Sequence, residues 1–103
     1  IVIYDDIDIP LGAIRIRKFG GPGTHNGMRS VVSRLGTPQF PRIRTGVGGN
    51  EGSLVNHVIG KVSKDEEQVL DETATKAAKA ARDIIEVGID KAMNLNNTSK
   101  KKD

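Results

Sequence analysis

The sequence has no cysteine and no tryptophan, one tyrosine, two phenylalanines and two histidines. Without cysteine there is neither a disulfide nor a thiolate metal site. Two histidines, His25 and His57, cannot build a histidine-rich metal centre by themselves. Aromatic residues make up 3% of the chain, too few for a surface that stacks successive bases of a single strand. No apolar run approaches the ~20 residues that a membrane-spanning helix needs.

What is present is a small, mildly basic chain. Its 103 residues, 36% hydrophobic and 28% charged, carry a formal net charge of +3, enough for one domain and no more. That balance is compatible with a polyanionic partner, although Lys100-Lys101-Lys102 supplies part of it as a solvated tail. The chain opens without methionine on Ile1-Val2-Ile3-Tyr4, a run of high strand propensity that predicts a strand buried on both faces. Such a strand needs a neighbour on either side. The chain is therefore read as the C-terminal part of a longer protein, whose bare strand edges would let isolated copies associate.

Hydrophobic periodicity lays out the rest. Residues 13–18 alternate, Ile14 and Ile16 against Arg15 and Arg17, and predict a half-buried strand with a cationic outer face. No crossover helix fits between these first two strands, so they are expected to run antiparallel or to lie apart in the sheet. Met28, Val31, Val32 and Leu35 fall on one helical stripe, stopped by Gly36 and Pro38. Ile43, Thr45 and Val47 alternate with Arg42, Arg44 and Gly46 in another strand. Residues 48–53 read as a glycine-rich loop and residues 54–62 as a short helical turn. Ser63 and Glu66 form a capping box. A long helix follows, with Val69, Leu70, Ala74, Ala77, Ala78, Ala81, Ile84 and Ile85 as its stripe. Gly88 breaks or bends it, Ile89, Ala92 and Met93 extend it, and Asn96 onward is expected to fray.

The organising stretch is Gly20-Gly21-Pro22-Gly23-Thr24-His25-Asn26-Gly27, a glycine loop feeding a helix start. Unpaired backbone N–H groups at such a mouth suit an anionic ligand. His25 reads as a base, a phosphate contact or a packed loop residue. Asn26 is either the helix cap or, if Thr24 caps instead, an amide able to hold a water or a substrate carbonyl. Asp5 and Asp6 end the opening strand, where α/β sheets place ligands; a carboxylate there can orient a catalytic histidine or simply cap a turn. Asp6 and Asp8 as metal ligands rank last, since the chain offers no further ligands to complete the set. Arg15, Arg17, Arg42 and Arg44 form either a solvated face or one cationic patch suited to phosphate. Loop and patch together favour a phosphate-bearing partner, held by its backbone and end more than by its sequence. A phosphate-binding α/β domain of other chemistry would explain the loop but not the adjacent His-Asn.

Three segments together resemble the bacterial peptidyl-tRNA hydrolase family. They are Val2-Ile3-Tyr4-Asp5-Asp6-Ile7-Asp8-Ile9-Pro10-Leu11-Gly12, then Gly21-x-x-x-His25-Asn26-Gly27-Met28-Arg29-Ser30, then Phe40-Pro41-Arg42-Ile43-Arg44-Thr45-Gly46-Val47-Gly48. Their order and spacing agree with the family, as does the later Lys91-Ala92-Met93-Asn94. The chain is also similar to a noncatalytic plant relative that serves in organelle intron splicing. The resemblance implies a single α/β domain over residues 1–97, a mixed β-sheet flanked by helices, with 98–103 as a disordered tail. It implies a cytoplasmic, monomeric hydrolase that cleaves the ester between a peptide and the 3′ ribose of tRNA, with no metal, organic cofactor or membrane. In the family the general base is a histidine near an Asn-Pro-Gly segment of the N-terminal half. Neither His25 nor His57 matches it, so this chain alone is expected to show no turnover. By the family's pattern Asp5 holds the base, and Asn26 contacts substrate and helps to place the attacking water. Gly23 and His25 lie along the cleft for the peptide and CCA end, and Arg17 and Arg44 clamp tRNA phosphate. Residues 48–53 and the segment after them resemble a mobile lid over the cleft. Thr24 stands where many members carry glycine and is expected to cap the helix, leaving Asn26 free.

Overall fold

Alternating isoleucines and arginines build the sheet. In the computed structural model, which describes residues 1–20, 25–48 and 63–97, the strands are β1 (Val2–Asp6), β2 (Ile14–Arg17) and β3 (Arg42–Gly46). Their order is β1-β3-β2. β1 runs parallel to β3, with Tyr4 opposite Arg44 and Asp6 opposite Gly46. β2 runs antiparallel to β3, with Ile16 opposite Ile43. The sheet is therefore mixed, and β1 and β2 lie apart on either side of β3, as the missing crossover predicts.

Because side chains alternate along a strand, the isoleucines and arginines separate onto opposite faces. Ile14, Ile16 and Ile43 are buried and meet Ala77, Ala80 and Ala92 in the core. Burying each isoleucine stabilises the fold by about 1.5–3 kcal/mol. On the other face Arg15 stands opposite Arg44 and Arg17 opposite Arg42. Like charges directly opposite repel, so this face needs anionic or carbonyl partners to hold it. It is not the solvated surface that alternation alone suggested. Arg42 is only 1% exposed. It donates from Nη2 to Pro38 O at 2.6 Å, and its guanidinium lies 4.3 Å from the Phe40 ring centre.

The helices are α1 (Asn26–Leu35), α2 (Lys64–Val87) and α3 (Ile89–Asn96). Gly36 ends α1 in the left-handed region, φ 76°, and returns its N–H to Val32 O. Ser63 and Glu66 form the expected capping box at the start of α2. Gly88, at φ 91°, separates α2 from α3. Among the described residues no helix is long and apolar enough to cross a membrane. Residues 54–62 and 98–103, read as a helical turn and a disordered tail, lie outside the described residues.

Four expectations need correcting. In this chain the opening strand is not buried on both faces: among the described residues β3 is its one paired neighbour, and Ile1 and Ile3 are each 49% exposed. The reason is placement, since α2 and α3 lie over β2 and β3. The α2 stripe is narrower than its apolar residues suggest. Ala74 and Ala78 are exposed and Ile85 is 76% exposed, while Thr73 is buried; its hydroxyl donates to Val69 O one turn back, which satisfies it without water. On α1, Met28 is buried but Leu35 is exposed.

The fourth correction concerns the end of α3. Asn97 does not fray. Its Oδ1 accepts Ile16 N–H at 2.6 Å and its Nδ2 donates to Ile16 O at 3.2 Å. One side-chain amide thus stands in for a neighbouring strand at the outer edge of β2, covering groups that would otherwise be open to pairing. Asn96 is anchored as well, donating to Asp83 Oδ2 at 2.9 Å and to Ala92 O at 2.8 Å.

Candidate active site

The ends of the strands and the mouth of α1 converge on a cleft of about 580 Å³. It is lined by Tyr4, Asp5 and Asp6 from β1, by Arg17 from β2, by Arg42 and Arg44 from β3, and by His25, Asn26 and Gly27 at the helix start. Asp5, His25, Asn26, Arg17 and Arg44, singled out in the sequence, all lie on this one cleft. Gly23 and Thr24 lie outside the described residues, as do His57 and residues 49–53 of the supposed lid.

The helix cap is neither of the two expected residues, Asn26 or Thr24. His25 takes the N-cap position with an extended backbone, φ −80° and ψ 110°. Its Nδ1 accepts Met28 N–H at 3.1 Å, satisfying one of the N–H groups that a helix start leaves unpaired. Asn26, the first helical residue, is exposed on the cleft and spared that task.

The cap also assigns the imidazole's proton. A ring nitrogen that accepts a backbone N–H has no hydrogen of its own, so the neutral ring carries its hydrogen on Nε2. That nitrogen lies 2.8 Å from Asp5 Oδ1 and donates to it. Both ring nitrogens are thus engaged, and no lone pair remains to take a proton from water. Of the three readings of His25, the base is the one this geometry closes. The Tyr4 ring meets the imidazole edge to face at 5.1 Å.

Asp6 plays a different part from Asp5. Its Oδ1 accepts Asp8 N–H at 2.7 Å, a turn closed by a side chain. Its Oδ2 accepts Arg44 Nε at 2.7 Å. With both oxygens so used, it anchors an arginine on the cleft wall. Arg44 keeps 28% of its side chain exposed. Arg17 donates from Nη1 to Ile16 O at 3.2 Å.

Sequence reasoning missed Tyr4 and Phe19 as cleft residues. The signal for Tyr4 was present: it sits two residues before Asp6, on the strand face that carries the arginines of β3. Phe19, 59% exposed, follows the last residue of the β2 alternation and had no periodic neighbour to mark it.

Known proteins share this arrangement of chain. A family model described as peptidyl-tRNA hydrolase matches residues 1–103. A peptidyl-tRNA hydrolase of Thermoanaerobacter sp. (strain X514) is 52% identical over 97 residues, which is 94% of this chain and 53% of that protein. One from Alkaliphilus metalliredigens (strain QYMF) is 51% identical over 98 residues, again 94% of this chain and 53% of the relative. Among solved structures, a peptidyl-tRNA hydrolase in complex with N-propanol superposes with a TM-score of 0.75 at 32% identity, covering 98% of this chain and 53% of the other. The enzyme from Acinetobacter baumannii gives 0.74 at 32% identity, covering 96% and 52%. The chain spans about half the length of the curated relatives it matches.

Proposed function

The chain belongs to the peptidyl-tRNA hydrolase family, and from that premise we propose that the protein hydrolyses the ester joining a peptide to the 3′ ribose of tRNA, in the cytosol. The single observation that carries this reading is the meeting of Asp5, Asn26 and the arginines on one cleft. Ester hydrolysis needs a water placed against the carbonyl, a base to take its proton, and a hold on the leaving alcohol's polyanionic body.

Asp5 is suited to orienting an imidazole base and stabilising it once protonated. Asn26 offers an amide that can accept from the attacking water while donating to the ester carbonyl. Arg17 and Arg44, both on the cleft, offer guanidinium groups suited to phosphates of the acceptor end. The base itself is assigned to a residue other than His25, whose nitrogens are both engaged. Gly23 is proposed as part of the path for the CCA end.

The test is direct. The full-length protein, incubated with peptidyl-tRNA, is expected to release free peptide and free tRNA over many turnovers. Tight tRNA binding with no release would instead support a noncatalytic RNA-binding relative.

A further inference from the structure

His25 is gripped at three points. Met28 N–H holds Nδ1 at 3.1 Å, Asp5 Oδ1 lies 2.8 Å from Nε2, and the Tyr4 ring lies 5.1 Å away edge to face. Gly27 keeps the space open. A Cβ at that position would lie 3.0 Å from the imidazole Cε1 and 3.3 Å from Nδ1. Glycine is otherwise a poor choice inside a helix, so its presence in the first turn is accounted for by the ring it clears.

The carboxylate on the other side of this contact lacks support from burial. The Asp5 side chain is 60% exposed, and among the described residues it has no other hydrogen-bond partner. An exposed carboxylate rotates about χ2 and presents either oxygen unless a bond selects one. The bond from His25 selects Oδ1 and leaves Oδ2 for a second donor. Because His25 is also the cap of the helix that carries Asn26, one ring fixes the carboxylate relative to the amide.

Resting on the hydrolase reading above, we propose that His25 is a positioning residue, a tautomer-locked strut that sets Asp5 Oδ2 toward the base and holds it in register with Asn26. It does not contact substrate through a ring nitrogen. Breaking either of its bonds would free the carboxylate or uncap the helix.

Two substitutions in the full-length protein separate this role from its rivals. His25→Asn keeps a side chain that caps helices well but is too short to reach Asp5. Gly27→Ala favours the helix by propensity while crowding the ring. Each is expected to lower kcat by about 10- to 100-fold, the scale of a displacement of about an ångström in a site, with KM within about twofold of wild type. In the wild-type protein, long-range proton–nitrogen NMR should show the Nε2–H tautomer, with a slowly exchanging Nε2 proton that Asp5→Ala removes.

Unchanged kcat in both variants overturns the proposal. So does a raised KM with kcat intact, which would make His25 a substrate contact. An Nδ1–H tautomer overturns it independently of any assay. If the wild-type protein itself releases no tRNA, the hydrolase reading fails, and the imidazole spectra still decide whether His25 is locked to Asp5.

Discussion

Arg44 reaches the cleft already held by a carboxylate: its Nε donates to Asp6 Oδ2 at 2.7 Å. Asp6 sits opposite Gly46, at the last register position of β1 and β3, and beside Arg44 it offsets part of the repulsion that Arg15 and Arg44 impose on each other across the strands. Guanidinium has five donors, so a phosphate could join Asp6 or displace it. Either way Asp6 weakens the cationic field of the cleft, where the proposed function seats the tRNA.

Asp6→Asn should therefore bind tRNA more tightly than wild type, with a log–log salt dependence steeper by about 0.7–0.9, the equivalent of one more phosphate contact. Arg44→Ala should move both quantities the other way. Affinity measured from 50 to 200 mM salt checks this, and parallel lines for all three proteins would remove Arg44 from the RNA surface.

The two bonds from Asn97 to Ile16 close the outer edge of β2. Asn97→Ala leaves that backbone pair without its partner and is expected to cost about 1–3 kcal/mol. Hydrogen exchange at the Ile16 amide should accelerate by a similar free energy, while the amides of α1 stay as they are. Denaturant unfolding with site-resolved exchange would show it.

Much of the fold was legible because its signals are local. The capping box at Ser63, the stop at Gly36 and the break at Gly88 each follow from residues within a few positions of one another. The alternation of isoleucine and arginine placed both strand faces correctly. What could not be read was whatever depends on a distant partner. In sequence, Gly46 reads only as a member of the face that carries Arg42 and Arg44. In the structure a Cβ there would run into Pro10 O and lie 2.7 Å from Ile9 O, so glycine admits the loop after β1. Asn97 looked like a fraying end because its partner lies 81 residues earlier. The site was legible in its members but not in its wiring. Nothing in Asp5-Asp6 says that the first acid takes the imidazole and the second the guanidinium. Nor does His25-Asn26 say which of the two caps the helix.

Asp83 links α2 to the end of α3. The Lys79 ammonium, by its hydrogen bond, and the Asn96 amide hold its carboxyl below the ordinary carboxylate value. A carboxyl depressed in the folded state adds stability that is present above its unfolded value of about 3.9. That stability is lost as pH falls through the folded value. Asp83→Asn removes that contribution, so the variant should be slightly less stable than wild type above about pH 4, and the two profiles should converge as pH falls through the folded value. Thermal unfolding across that range tests it; a separation between the two proteins that stays constant from neutral to acid pH, or is absent throughout, would mean that the link contributes nothing.

The most direct test of the central claim is single-turnover cleavage of peptidyl-tRNA by the full-length protein carrying Asp5→Asn or Asn26→Ala. If the acid ending β1 and the amide opening α1 serve one reaction, each substitution lowers the cleavage rate by at least about 100-fold, with tRNA affinity close to wild type. Cleavage within about twofold of wild type in either variant would contradict the assignment.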